Sequence, residues 1–120
     1  MKTLGRHFIL DLQGCPFELL DNEEELKQIM LKALKLAKGH IIKEPLFHHF
    51  APHGVSGIIL IAESHLSIHT WPEYEFASID IYTCDAKMKL KKSLKYLVKV
   101  FTSTNTNLSE ISRGFLPTVK

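Results

Sequence analysis

The sequence predicts an α+β fold, a two-layer sandwich of one largely antiparallel sheet with two helices on one face. Three observations carry this. Two segments repeat apolar residues at helical spacing. Several others alternate apolar and polar residues, or run apolar between turn residues. Their order is strand, helix, several strands, helix, strand.

The elements follow in chain order. Leu4 to Leu12 reads as the first strand. From Asp21 to Gly39, Leu26, Ile29, Met30, Ala33, Leu34 and Ala37 mark one face of a helix. Asp21 and Glu24 have capping-box-like spacing, Glu23 to Glu25 favour the positive end of the helix, and Lys38-Gly39 suits its stop. Ile41 to Phe50 is a strand in which Pro45 implies an edge or a bulge. "VSGIILIA", Val55 to Ala62, is a buried strand. His65 to Trp71 and Phe76 to Cys84 both alternate, and "WPEY" between them makes a hairpin. A second helix is expected from near Asp85, with Leu90, Leu94, Leu97, Val98 and Phe101 as its buried stripe and its lysines as a solvated outer face. Leu108 to Phe115 is the last strand.

Alternation sorts the hairpin onto two faces. Leu66, Ile68, Thr70, Ala77, Ile79, Ile81 and Thr83 belong under the helices. His65, Ser67, His69 and Trp71, with Ser78, Asp80, Tyr82 and Cys84, belong on the far face, which no helix remains to cover. A second copy of the sheet is expected to cover it, giving a homodimer with sheets packed across the contact. His65 reads as strand surface, and Ser67, Ser78 and Asp80 as groups satisfied locally on that face.

Length and composition bound the rest. The chain has 120 residues, one domain by length, and a formal net charge of +2, too small to argue for nucleic acid. No apolar run approaches a membrane span, and the N-terminus turns polar too early for a signal peptide. Cys15 and Cys84 make no disulfide framework and suit a reduced, cytoplasmic protein. Seven histidines are the unusual count.

Three chemistries compete for "AESHLSIHTWPEY", residues 62 to 74. A metal site would draw on His48, His49, His53, His65 and His69, but there is no HExxH motif, and an i, i+4 pair on a strand spans roughly 13 Å. Cys84 and His69 on one face could be a nucleophile and its base, but no Gly-x-Ser-x-Gly elbow accompanies them. The third is self-processing: the Ser64 hydroxyl attacks the Glu63 carbonyl, and β-elimination from the ester leaves a pyruvoyl terminus. Ser64 lies five residues before His69, so in an unbroken strand they face opposite ways; cooperation requires a bend near Glu63-Ser64.

"FHHFAPHGVSGIILIA", "ESHLSIHTWPEY" and "ASIDIYTC", with the opening "MKTLGRHFILDL", closely resemble the prokaryotic pyruvoyl-dependent S-adenosylmethionine decarboxylase proenzymes. The resemblance implies self-cleavage between Glu63 and Ser64 into chains 1–63 and 64–120, with Ser64 becoming a pyruvoyl group that forms a Schiff base with the substrate amine. It implies His69 as the proton-transfer group of processing, Ser56 as its assistant and Cys84 as proton donor in decarboxylation. Phe50, Trp71 and Glu73 match substrate-binding positions. The function implied is conversion of S-adenosylmethionine to its decarboxylated form, the aminopropyl donor of polyamine (spermidine) synthesis, by a dimer of processed protomers, two long and two short chains. Neither pyridoxal phosphate nor a metal is expected. The alternatives are a pyruvoyl-dependent arginine or ornithine decarboxylase, and a non-processing binding homologue. Trp71 and Glu73 favour the nucleoside substrate, since a small amino acid needs no adenine stack.

Overall fold

A computed structural model describes residues 3–85 and 88–116. It contains one six-stranded sheet and two main helices: β1 (Thr3–Gln13), α1 (Phe17–Leu20), α2 (Glu23–Leu36), β2 (Leu46–His49), β3 (Val55–Ile61), β4 (Ser64–Trp71), β5 (Phe76–Thr83), α3 (Leu90–Val100) and β6 (Asn105–Phe115). The sheet runs β2-β3-β4-β5-β1-β6, and every neighbouring pair is antiparallel. The α+β sandwich is as the sequence predicts.

The register follows the pleat. Ile68 opposes Ile79 and Gly57, and Leu66 opposes Ile81 and Ile59, so the apolar sets share one face. On that face Leu10, Leu12, Ile59, Ile61, Leu66, Ile68, Ile79 and Ile81 are buried, packed against Leu26, Ile29, Met30, Ala33 and Leu34 of α2 and Leu90, Leu97 and Phe101 at α3. Thr70 is a polar member of this core. Its hydroxyl donates to the Leu20 carbonyl at 2.7 Å and accepts from the Val55 N–H at 2.9 Å, tying the short α1 to the sheet. Among the lysines of α3, Lys91, Lys92, Lys95 and Lys99 are exposed.

Several boundaries differ from the sequence reading. The cap of α2 is Asn22, whose side chain accepts from the Glu25 N–H at 3.0 Å, one residue beyond the Asp21–Glu24 spacing. The left-handed residue after α2 is Lys38, at φ 60°, rather than Gly39. The strand expected from Ile41 begins at Leu46, past Pro45, and is an edge; Ile41 makes only an isolated bridge to Ile61. Helix α3 begins at Leu90, not near Asp85, whose N–H instead turns back to the Thr83 hydroxyl at 3.0 Å; residues 86 and 87 of the expected span lie outside those described. Strand β6 starts at Asn105, three residues before Leu108. The one-turn α1 after Pro16 carries no periodic signal and has no counterpart among the elements the sequence predicts.

The cap assignment has a measurable consequence. Asn22→Ala is expected to cost about 1 kcal/mol of stability, read as a lower urea midpoint with an unchanged slope.

Candidate active site

The uncovered face carries the reactive groups, and the register divides them between its two ends. At one end, β3 turns into β4 through Ala62 and Glu63, with Ile61 opposite Ser64. Ser64 has φ 147°, a region L-residues rarely adopt, so the bend required of this peptide is present and strained. The Glu63 carbonyl accepts the Cys84 N–H at 2.8 Å, one rung beyond the Ser64–Thr83 pair. Cys84 is a free, exposed thiol. Cys15 is also free but buried; burial, with Glu75 adding to it, pushes its pKa up to about 11.

The Glu63 side chain turns inward and is buried. It accepts the His40 backbone N–H at 3.0 Å and lies 2.7 Å from His40 Nδ1. Burial works against its ionised form, but the His40 side chain, backbone N–H groups and the imidazole charge hold its pKa below the ordinary carboxylate value.

At the other end, Phe50, His53, Gly54, Ser56, His69, Thr70, Trp71 and Glu73 line a cavity of about 350 Å³. Ser56 opposes His69 across the β3–β4 ladder, and Ser56 Oγ and His69 Nδ1 share a 2.7 Å hydrogen bond. Phe50 and Trp71 expose aromatic faces at its mouth, each more than two-fifths accessible. The loop bearing Phe50 is closed by its N–H donating to the Gly54 carbonyl at 2.7 Å. Gly54 sits at φ 111°, where a side chain would be strained.

Asp21, displaced from the capping role, holds this loop. Its carboxylate accepts the Gly54 N–H at 3.0 Å, lies 2.8 Å from His49 Nε2 and contacts His53 Nδ1 at 3.4 Å. The Gly54 N–H first, then the His49 hydrogen bond, lower its pKa; burial opposes them, and the His53 contact and the His49 charge add to the lowering. From the sequence, His53 is a candidate only for a metal site, and Asp21 and His40 are not among the expected site residues. Their partners are 23 to 33 residues away along the chain, a separation that no local spacing reveals.

Between the two ends, His7 Nε2 lies 3.0 Å from Asp80, Ser67 donates to Asp80 at 3.4 Å, and His65 stacks obliquely on Tyr82 at 5.8 Å. His65 is therefore half-buried rather than simple strand surface; burial, then the neighbouring His7, lower its pKa against the pull of Asp80. Every histidine has a partner: His48 packs edge-on to Phe50 at 4.5 Å, and the other six are accounted for above. Among the described residues no three His, Cys, Asp or Glu side chains are grouped to hold a metal ion.

Five of the eight residues expected at the site, Phe50, Ser56, His69, Trp71 and Glu73, thus converge, while Glu63, Ser64 and Cys84 form a second group. Within one chain the groups do not meet. Ser64 and His69 are five residues apart on one strand, roughly 16 Å, and the bend at Glu63-Ser64 does not shorten that separation.

A family model described as S-adenosylmethionine decarboxylase matches residues 6–114. An S-adenosylmethionine decarboxylase proenzyme of Moorella thermoacetica is 41% identical over 116 residues, 97% of this chain and 92% of the relative. That of Persephonella marina is 42% identical over 119 residues, 99% and 89% of the two chains. The crystal structure of adenosylmethionine decarboxylase from Aquifex aeolicus superposes with a TM-score of 0.89 at 33% identity, over 100% of this chain and 98% of that one. A Trypanosoma brucei AdoMetDC monomer shares the fold at a TM-score of 0.62 and 14% identity, over 86% of this chain and 44% of that one.

The lowered Asp21 carboxyl ties the loop to pH. Its contribution to stability is complete above the ordinary carboxylate pKa of about 3.9 and is lost as the pH falls through its lower folded value. Thermal melts of wild type and Asp21→Asn should therefore differ at neutral pH and converge in that acid range.

Proposed function

The chain belongs to the S-adenosylmethionine decarboxylase family, and we propose that it decarboxylates S-adenosylmethionine after cutting its own backbone between Glu63 and Ser64. The product is the decarboxylated sulfonium, an aminopropyl donor for polyamine synthesis. One observation carries the self-cleavage: the peptide before a strained Ser64 has its carbonyl oxygen held at 2.8 Å by the Cys84 N–H. That donor is already aimed at the oxygen on which negative charge develops.

The steps follow from these atoms. Ser64 Oγ bonds to the Glu63 carbonyl carbon, the bond from that carbon to the Ser64 nitrogen breaks, and the hydroxyl proton ends on nitrogen. Removal of the Ser64 α-proton then breaks the Cβ–O bond, releasing Glu63 as a carboxylate and leaving dehydroalanine. Tautomerisation to the imine and addition of water expel ammonia and leave a pyruvoyl ketone. Hydrogen-bonded to Ser56, His69 is suited to move these protons. The turn fits such a group: Ser64 opens β4 directly after it, paired with Thr83, and the next residue, Cys84, carries an exposed thiol.

The separation of roughly 16 Å between Ser64 and His69 supports a homodimer. A two-fold axis between two sheets, lying across their strands, sets the Ser64 end of one protomer over the His69 end of its partner. Each site then combines Glu63, Ser64 and Cys84 of one subunit with Phe50, Ser56, His69, Trp71 and Glu73 of the other. The exposed face also carries Leu46, Ile58, Leu60, Ile111 and Phe115, apolar surface that such packing removes from water.

In decarboxylation the pyruvoyl group supplies the carbonyl that joins the substrate amine and the sink for the electron pair left on the α-carbon. Cys84 delivers a proton to that carbon. Phe50 and Trp71 offer faces to the adenine and the sulfonium cation, and Glu73 accepts hydrogen bonds from the ribose hydroxyls. No described helix is long and apolar enough to cross a membrane, and two free cysteines suit the reducing cytoplasm.

Denaturing mass spectrometry of the purified protein should give two chains split at Glu63-Ser64, the second beginning with pyruvoyl; Ser64→Ala should stay whole. Released product from S-adenosylmethionine, and none from arginine or ornithine, checks the substrate. His69→Ala should slow maturation by roughly 10²–10⁴-fold. In mixed dimers of Ser64→Ala with His69→Ala, only the His69→Ala chain should be cut, because its intact serine faces an intact histidine. If that chain stays whole in the mixture, the shared site is wrong.

A further inference from the structure

Glu63 occupies a two-residue hairpin turn, where a carboxylate ordinarily points into water. Here the residue is 8% exposed. Its side chain is held from a distant segment: one carboxylate oxygen accepts the His40 backbone N–H at 3.0 Å, and the other lies 2.7 Å from His40 Nδ1. His40 is itself fixed by backbone. The Ala62 N–H donates to the His40 carbonyl at 2.8 Å, Ile41 bridges to Ile61, and the Ile42 N–H donates to the Leu60 carbonyl at 3.2 Å. Just upstream, the left-handed Lys38 and the Gly39 N–H on the Leu34 carbonyl end α2 and aim the chain at the turn.

Glu63 is thus held at both extremities, the carboxylate by His40 and the carbonyl oxygen by Cys84. The next residue carries the strained φ. Turning the Glu63–Ser64 peptide plane would relax that strain but break the bond from the Cys84 N–H, and the side-chain anchor fixes the Glu63 Cα from which that carbonyl projects.

We propose that His40 is a positioning residue for self-cleavage, anchoring the Glu63 side chain so that the scissile carbonyl stays in line with the Ser64 hydroxyl and the Cys84 N–H during the acyl shift. The inference rests on the self-cleavage reading above. The His40 side chain is 76% exposed, so the pair adds little to stability. Its effect belongs in the rate of cutting.

The test follows newly translated chains in a cell-free system by denaturing gel, with and without neutral hydroxylamine, which cleaves the ester once it has formed. His40→Ala and Glu63→Ala should be cut roughly ten- to a hundredfold more slowly than wild type. His40→Asn, which keeps a donor where Nδ1 stood, should recover most of the rate. Melting temperatures should move by less than about 4 °C. Hydroxylamine should leave His40→Ala slow, because the ester is not being formed.

Cutting of His40→Ala and Glu63→Ala within twofold of wild type would overturn the inference while leaving self-cleavage intact. So would full rescue of His40→Ala by hydroxylamine, which would place the defect after the acyl shift. Should His40→Ala fail to fold, His40→Asn against Glu63→Ala decides: equal rates overturn the anchor. A wild-type chain that stays whole, like the Ser64→Ala blank, would remove the self-cleavage reading and the anchor with it.

Discussion

A sheet has two faces, and among the described residues helices cover only one of them. That constraint organises the molecule. The pleat sends alternate side chains to opposite sides, so residues that build the core under α2 and α3 fix, one position along, which residues stand on the open side. Ser56, His65, Ser67, His69, Trp71, Ser78, Asp80 and Tyr82 are there because Val55, Leu66, Ile68, Ala77, Ile79 and Ile81 are buried. A one-residue slip between β4 and β5 would exchange the two sets. Core packing therefore sets the register of the reactive face, and the same face is the one left free to meet another copy.

The two ends of that face are built differently. The cavity end is organised by a carboxylate in a network: Asp21 gathers Gly54, His49 and His53, and so shapes the loop that presents Phe50. The turn end is organised by strain. Ser64 sits at φ 147° between its ladder partners Ile61 and Thr83, directly after the buried Glu63. Strain of this kind at one peptide is costly for a structural turn and useful for a bond that is to be broken.

The architecture was legible where pattern alone decides. The alternation of β4 and β5, the apolar run of β3 and the stripes of the two helices all lie where the sequence put them, because burial on one face leaves a periodic trace. Boundaries were less legible where two residues could do the same work. Asp21 and Asn22 are both good caps; Asn22 takes the role because Asp21 is engaged by the loop from His49 to Gly54. The start of β6 was invisible because all eleven of its residues are exposed and no burial pattern marks it. At the site, the contiguous motif supplied the candidate residues. It did not reveal that Phe50, Ser56 and Glu73 gather around His69 while Cys84 joins Glu63, nor that His40 reaches Glu63, since both are properties of three-dimensional placement.

The strand order has one more consequence. A cut after Glu63 leaves β1, β2 and β3 on one peptide and β4, β5 and β6 on the other, yet β1 lies between β5 and β6. Three of the five ladders, β3–β4, β5–β1 and β1–β6, then join different molecules. A protein cut there would have the strands of its two peptides interleaved, and its unfolding would change molecularity. Before the cut, recovery is a first-order event within one chain. Afterwards it is an encounter between two peptides that dilution disfavours. Maturation would turn a refoldable protein into one whose persistence depends on never coming apart.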